Sequence, residues 1–226
     1  MRKINPALSV LAALLCAALA ACSSGPPVPD WKMNAQSSIE RFEAAYLNGS
    51  ALVEQTEFQR AREQVGSTGK IELTARVELL RCATRVASLV FEDCTAFDAL
   101  RADAGAADRA YANYLAGKLQ PADIALLPEA QRAVAGATSD TAAAGAVAGI
   151  ADPLSQLVAA GVLLRSGRAT PALLDTAVAT ASDQGWRRPL LAWLGVQRLR
   201  AEQAGDAQEA QRLQRRMDIV TASRAR

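Results

Sequence analysis

The last third of the chain is punctuated by paired start and stop signals that leave it little choice but antiparallel helices. Asp152-Pro153 places an N-cap carboxylate before a proline suited to the first helical position, and Gly167 supplies the stop. Thr170-Pro171 and Gly185 repeat the pattern, and Gly205-Asp206 ends one segment and caps the next. Between these marks Leu154, Leu157, Val158, Gly161 and Val162 share one face, and Leu190, Leu191, Leu194 and Leu199 point inward from Pro189 to Ala204. Leu213, Met217 and Val220 mark the final helix.

The same reading extends upstream. Ile39, Phe42, Ala45 and Tyr46 recur at helical spacing within a predicted helix over Ser37 to Leu47, ended by Asn48-Gly49. A second helix is expected over Ala51 to Val65, and a third from Lys70 to about Val90, with a face wide enough to make it the candidate central helix. Thr95 to Leu119 reads as a helix with a break at Gly105, and Ala122 to Ala135 as helical around Pro128. Gly136 to Gly149, nearly all Ala, Gly, Thr and Ser, fits either a loop or a tightly packed helix. Half the residues are hydrophobic but only 4% are aromatic, the composition of closely packed helices rather than of sheets. The expected fold class is therefore all-α: antiparallel helix pairs in a bundle or a short solenoid.

The amino terminus carries a different message. Arg2 and Lys3 precede an apolar stretch, Ala7 to Leu19, too short for a permanent membrane span, as in a signal peptide. It runs into Leu19-Ala20-Ala21-Cys22, which resembles the lipobox of bacterial lipoproteins. In that family the cysteine sulfur receives a diacylglycerol, cleavage falls before the cysteine, and the new amino group is acylated with palmitate-type chains. The resemblance implies a signal peptide over 1–21 and a lipidated Cys22. Several acyl chains on one residue anchor stably, since each buried CH₂ contributes roughly 0.8 kcal/mol. Ser23, not aspartate, follows the cysteine, similar to the outer-membrane pattern, so the expected address is the outer membrane facing the periplasm. Residues 22–30 then form the lipidated cysteine and a flexible Ser/Pro tether, and residues 31–226 a single α-helical periplasmic domain.

Removing Arg2 and Lys3 from 25 basic residues leaves 23, equal to the 23 acidic ones. A neutral surface lacks the basic face that nucleic acid requires, so no nucleic-acid partner is expected. The chain contains no histidine, which excludes Ser-His-Asp and Cys-His catalysis and the usual zinc sites. No GxxxxGK[ST] or GxGxxG pattern is present, and no cofactor, metal or catalytic residue is expected. Once Cys16 leaves with the signal and Cys22 is lipidated, Cys82 and Cys94 remain in an oxidising compartment and are expected to pair.

Two weaker patterns concern the body. Tyr46-Leu47-Asn48-Gly49 and Tyr114-Leu115-Ala116-Gly117 share a Tyr-Leu-x-Gly ending, and Gln59-Arg60-Ala61 matches Gln131-Arg132-Ala133. Trp193-Leu194-Gly195 and Gly205 with Ala210 resemble parts of a tetratricopeptide repeat, set about one turn further apart and without the sustained period of about 34 residues. The resemblance implies a tetratricopeptide-like architecture.

Glu92-Asp93 and Asp98 read as turn and helix-terminal charges, and Asp152 as a cap. Trp186, Arg187, Arg188 and Trp193 are the candidate interface, although all but four of the basic residues are arginine, so arginine clusters arise without selection. The expected function is a non-enzymatic protein-interaction or scaffold module of the envelope with an envelope protein partner. The alternative is a helical small-ligand binder or enzyme using carboxylates and tyrosines, with Tyr46, Tyr111 and Tyr114 as lining candidates.

Overall fold

The computed structural model describes residues 27–223. The signal peptide and Cys22 lie outside the described residues. The chain forms α1 (Asp30–Leu47), α2 (Ala51–Gly66), α3 (Ile71–Ala87), α4 (Thr95–Asp98), α5 (Ala106–Leu115), a 3₁₀ segment (Pro121–Leu126), α6 (Glu129–Ala135), α7 (Asp140–Ala148), α8 (Pro153–Arg165), α9 (Pro171–Asp183), α10 (Arg187–Gln203) and α11 (Ala207–Ala222). The described residues hold no strand, so the all-α expectation is met.

Two helices cross at the centre. The expected central helix, α3, is packed along α8, and α8 is wrapped more completely, with Leu157, Val158, Ala159, Ala160, Gly161, Val162 and Leu163 all buried. A helix apolar all round is one enclosed by others, and here α3, α5, α6, α7 and α9 supply the enclosure. The crossing is set by Gly161. A Cβ at this position would collide with the Val86 carbonyl oxygen and stand 3.0 Å from Val86 Cγ1, so the helices approach to backbone contact there. Beside it the fully buried Trp193 of α10 donates its indole Nε1 to Ala87 O at 3.1 Å, satisfying a carbonyl at the end of α3.

The α1–α2 hairpin builds a smaller core in which Phe42 and Phe58 meet edge to face, ring centroids 5.6 Å apart, over Val77 of α3. Three buried glutamates, Glu54, Glu57 and Glu78, surround this core, and each faces arginine. Arg81 Nε lies 2.7 Å from Glu54, Arg41 and Arg60 lie 2.8 and 2.6 Å from Glu57, and Arg62 lies 2.9 Å from Glu78. Arg81 also covers the Phe58 ring at 4.2 Å. The arginines that predominate among the basic residues form charge pairs within the fold here. At the other end α10 returns to α1: Arg188 Nε donates to Tyr46 O at 2.8 Å and Arg187 Nε to Asn48 O at 3.2 Å. This contact closes the helix pairs into a bundle.

The helix ends explain what the sequence showed and what it hid. Asp152, Thr170 and Asp206 accept from Ser155 N, Leu173 N and Glu209 N, the N-caps expected of them. The Tyr-Leu-x-Gly match is a helix stop: Gly49 and Gly117 adopt φ 81° and 70°, and Ser50 N and Lys118 N reach back to Ala45 O and Asn113 O. It reports a shared ending, not a duplicated unit. At the end of α3, Leu89 takes the left-handed position with φ 61° where glycine is usual, so the stop after Ala87 left no glycine to see.

The single helix expected over Thr95 to Leu119 is instead α4 and α5 separated by turns, with Gly105 as the N-cap of α5. Pro128 likewise divides Ala122 to Ala135 into the 3₁₀ segment and α6. Gly136 to Gly149 contains a packed helix, α7, started by Ser139 accepting from Ala142 N at 3.1 Å. Cys82 of α3 and Cys94, which precedes α4, are brought together as a disulfide pair with Cα atoms 6.0 Å apart, so the expected pairing is seen.

The central crossing yields a paired test by thermal or denaturant unfolding. Gly161→Ala is expected to destabilise the protein by about 1–3 kcal/mol, because a methyl must force α3 and α8 apart. Gly195→Ala, within α10 where an added Cβ meets nothing within 4 Å, is expected to stabilise it by about 0.5–1 kcal/mol.

Candidate functional site

Five elements converge on a cleft of about 520 Å³. Glu40, Glu43, Ala44 and Leu47 come from α1, Leu80 and Ala83 from α3, and Tyr111 from α5. The first turn of α8 adds Asp152 to Ser155 with Val158 behind them, and the α9–α10 turn adds Gln184 and Trp186. The volume falls within the range of small-ligand sites, roughly 300–1,000 Å³.

Its polar groups are held in different ways. Asp152 Oδ2 accepts from Ser155 N at 2.7 Å, so its charge also caps α8. Glu40 accepts from Gln36 Nε2 at 2.9 Å and is exposed. Glu43 is half-buried and has no hydrogen-bond or ion-pair partner among the described residues. Burial, reinforced by the charges of Asp152 and Glu40, pushes its carboxyl up to about 7. Every residue bordering the cleft is acidic, neutral polar or apolar, so no cation opposes these carboxylates.

Tyr111 presents its phenol to the cleft, also without a hydrogen-bond partner among the described residues, and burial pushes its pKa upward, with Glu43 and Asp152 adding to the effect. Its ring stacks on Tyr114, with centroids 6.2 Å apart and planes inclined by 21°. Tyr114 donates to Gln131 Oε1 at 2.8 Å, and Gln131 Nε2 donates to Ser155 O at 3.0 Å. This chain of contacts fixes the cleft's back wall to α8 from behind.

The residues singled out in the sequence disperse. Of the three tyrosines only Tyr111 lines the cleft. Tyr114 borders a smaller cavity of about 180 Å³ with Val162, Ser166 and Arg168. Tyr46 is buried between the guanidinium groups of Arg188 and Arg85, at 4.3 and 5.3 Å from its ring centre. Of the candidate interface, Trp186 is half-buried on the cleft wall, whereas Trp193 is core, fully buried with its indole N–H satisfied. Arg187 and Arg188 hold the end of α1 through its carbonyls. Glu92 approaches Arg85 at 3.7 Å, and Asp98 pairs with Arg101 at 2.7 Å, as surface charges.

Glu40 and Glu43 were not singled out by the sequence. The available signal is their spacing: with Leu47 they follow one side of α1, next to the apolar face carried by Phe42 and Tyr46. Among the described residues no helix is long and apolar enough to cross a membrane. Comparison with protein-family models, curated proteins and solved structures gives no significant match.

The state of Glu43 can be read from stability. A carboxyl raised from 4.5 to about 7 favours the folded state when protonated, so this site's contribution declines as pH rises from about 4.5 and levels off above 7. Glu43→Gln is therefore expected to stabilise the protein by roughly 1–3 kcal/mol at pH 8 and to change little at pH 4. Denaturant melts across that range give the difference, and a destabilised variant at pH 8 refutes the assignment.

Proposed function

We propose that the chain is a lipoprotein held on the outer membrane by acylated Cys22, facing the periplasm, and that its helical body serves the envelope as a non-enzymatic interaction or scaffold module. The anchor rests on Leu19-Ala20-Ala21-Cys22 followed by Ser23 and the Ser/Pro tether. The observation that carries the binding role is the cleft itself: a cavity of ligand-binding size where four helices and the α9–α10 turn meet around a half-buried carboxylate without a partner among the described residues. A rigid bundle with such a recess is suited to seat a group of a partner or a small molecule.

The raised Glu43 favours a second reading, an enzyme in which this carboxyl exchanges protons near neutral pH beside Tyr111. In the binding reading Glu43 contributes charge alone.

Two measurements on membranes of the native host test the proposal. Intact mass of the mature protein should show cleavage before Cys22 and an acyl increment that Cys22→Ala abolishes; an unmodified cysteine refutes the anchor. A photo-crosslinking amino acid at Gln184 on the cleft rim should form an adduct that the same substitution at Gln211, exposed on α11, does not. No adduct at Gln184, or equal adducts at both positions, refutes a role for the cleft.

A further inference from the structure

We infer that the cleft takes an alkylammonium group, a primary amine carried on an aliphatic chain, with Glu43 as its counter-ion. This rests on the reading of the cleft as a binding site and names the chemistry of its occupant.

The argument begins with how this protein treats its other buried carboxylates. Glu54, Glu57 and Glu78 are each matched by at least one arginine within 2.9 Å. Taking a carboxylate out of water is unfavourable unless a cation or hydrogen bonds replace the solvent, and arginine, the chain's predominant cation, serves that purpose at these three sites. Glu43, on the cleft wall, is treated differently. It is half-buried without a partner among the described residues, with Glu40 on its own helix and Asp152 at the start of α8 adding negative charge, and it faces a recess instead of an arginine. The missing cation is therefore one that enters from outside.

The surroundings select which cation. Among the described residues no three His, Cys, Asp or Glu side chains stand close enough together to hold one metal ion, so the carboxylates surround a space and do not form a coordination shell. Trp186 and Tyr111 supply ring surfaces, which attract organic cations through the ring quadrupole. Leu47, Leu80, Ala83, Leu154 and Val158 supply apolar wall for a methylene chain. The Tyr111 oxygen, free of a protein partner, is available to accept an N–H. Charge, aromatic wall and apolar wall together describe the end of a lysine side chain or of a free aliphatic diamine.

Protonation couples to occupancy. The ionisable groups facing the site are Glu40 and Glu43 from α1, Asp152 from α8 and Tyr111 from α5; α3 and the α9–α10 turn contribute none to its lining. With the Glu43 carboxyl pushed up to about 7, an ammonium group binds the ionised form and displaces the proton. Affinity should therefore rise with pH from 6 to 8, with a proton released on binding below 7.

The test uses the mature lipoprotein in non-ionic detergent and calorimetric titration with hexylamine, hexan-1-ol, hexanoate and calcium, alongside 1,5-diaminopentane and a blocked Gly-Lys-Gly peptide. Hexylamine is expected to bind at least tenfold more tightly than the alcohol or the acid, and Glu43→Gln to remove at least tenfold of that affinity together with its pH dependence. The denaturant melt of this variant at pH 8 shows whether it is folded under the titration conditions, which separates lost binding from unfolding. The diamine and the peptide distinguish a free amine from a lysine of a partner.

Equal binding of alcohol and amine, or amine binding unchanged in Glu43→Gln, overturns the ammonium assignment while the cleft keeps its binding role. Calcium binding lost in Glu43→Gln, without amine binding, overturns it in favour of a metal. No binding of any probe overturns it as well, and the adduct at Gln184 then decides separately whether the cleft binds anything.

Discussion

The fold hangs on the contact between the backbones of α3 and α8 at Val86 and Gly161. Helix axes normally stand 8–10 Å apart because side chains intervene, and a glycine at the crossing removes one side chain from that gap. The consequence spreads outward. With α3 drawn onto α8, Ala159 and Ala160 beside the crossing are fully buried. The alanine-rich, aromatic-poor composition is thus the form a core takes when its helices lie close. The end of α3 also stays buried, so its Ala87 carbonyl needs a donor, and Trp193 provides one.

Around this centre the chain handles charge in two distinct ways. Where α1, α2 and α3 meet, buried carboxylates are neutralised by arginines from neighbouring helices, and Arg81 adds a second contact by lying over Phe58. Such pairs contribute little net stability once desolvation is counted, but each partner becomes expensive to remove, which fixes which helix faces which. At the α10–α1 junction the arginines instead serve backbone carbonyls at the end of α1, where helix termini leave acceptors unfilled. These arginines close the bundle; in the sequence they looked like an exposed patch.

Legibility divides along the same line. Features set by neighbours in sequence were readable: the caps Asp152, Thr170 and Asp206, the glycine stops, the apolar face of α1 and the pairing of two cysteines twelve positions apart. Features set by distant segments were not. Leu89 ends α3 in a glycine's conformation before the chain turns towards Cys94 and α4, and no local rule announces it. Trp193 carries the surface-like neighbours Arg187 and Arg188, yet α3, more than 100 positions earlier, receives its indole. The cleft is the extreme case. Its carboxylates come from α1 and the start of α8, its phenol from α5 and its indole from the α9–α10 turn, so no single window of sequence holds two of its walls.

The bundle has no structural need for a charge at position 43. The position lies beside the apolar face of α1, whose burial is already carried by Phe42, Ala45, Tyr46 and Leu47, and a neutral amide would meet the same helix geometry without desolvating a charge. Asp152, by contrast, has a local role as the cap of α8. Three carboxylates border the recess: Glu40 is exposed and accepts from Gln36, Asp152 caps α8, and Glu43 alone has no partner among the described residues. A half-buried charge that the fold does not require points to something other than folding as what sets the residue. In a chain that supplies arginine to its other buried glutamates, an acidic recess without one is best understood as half of an ion pair.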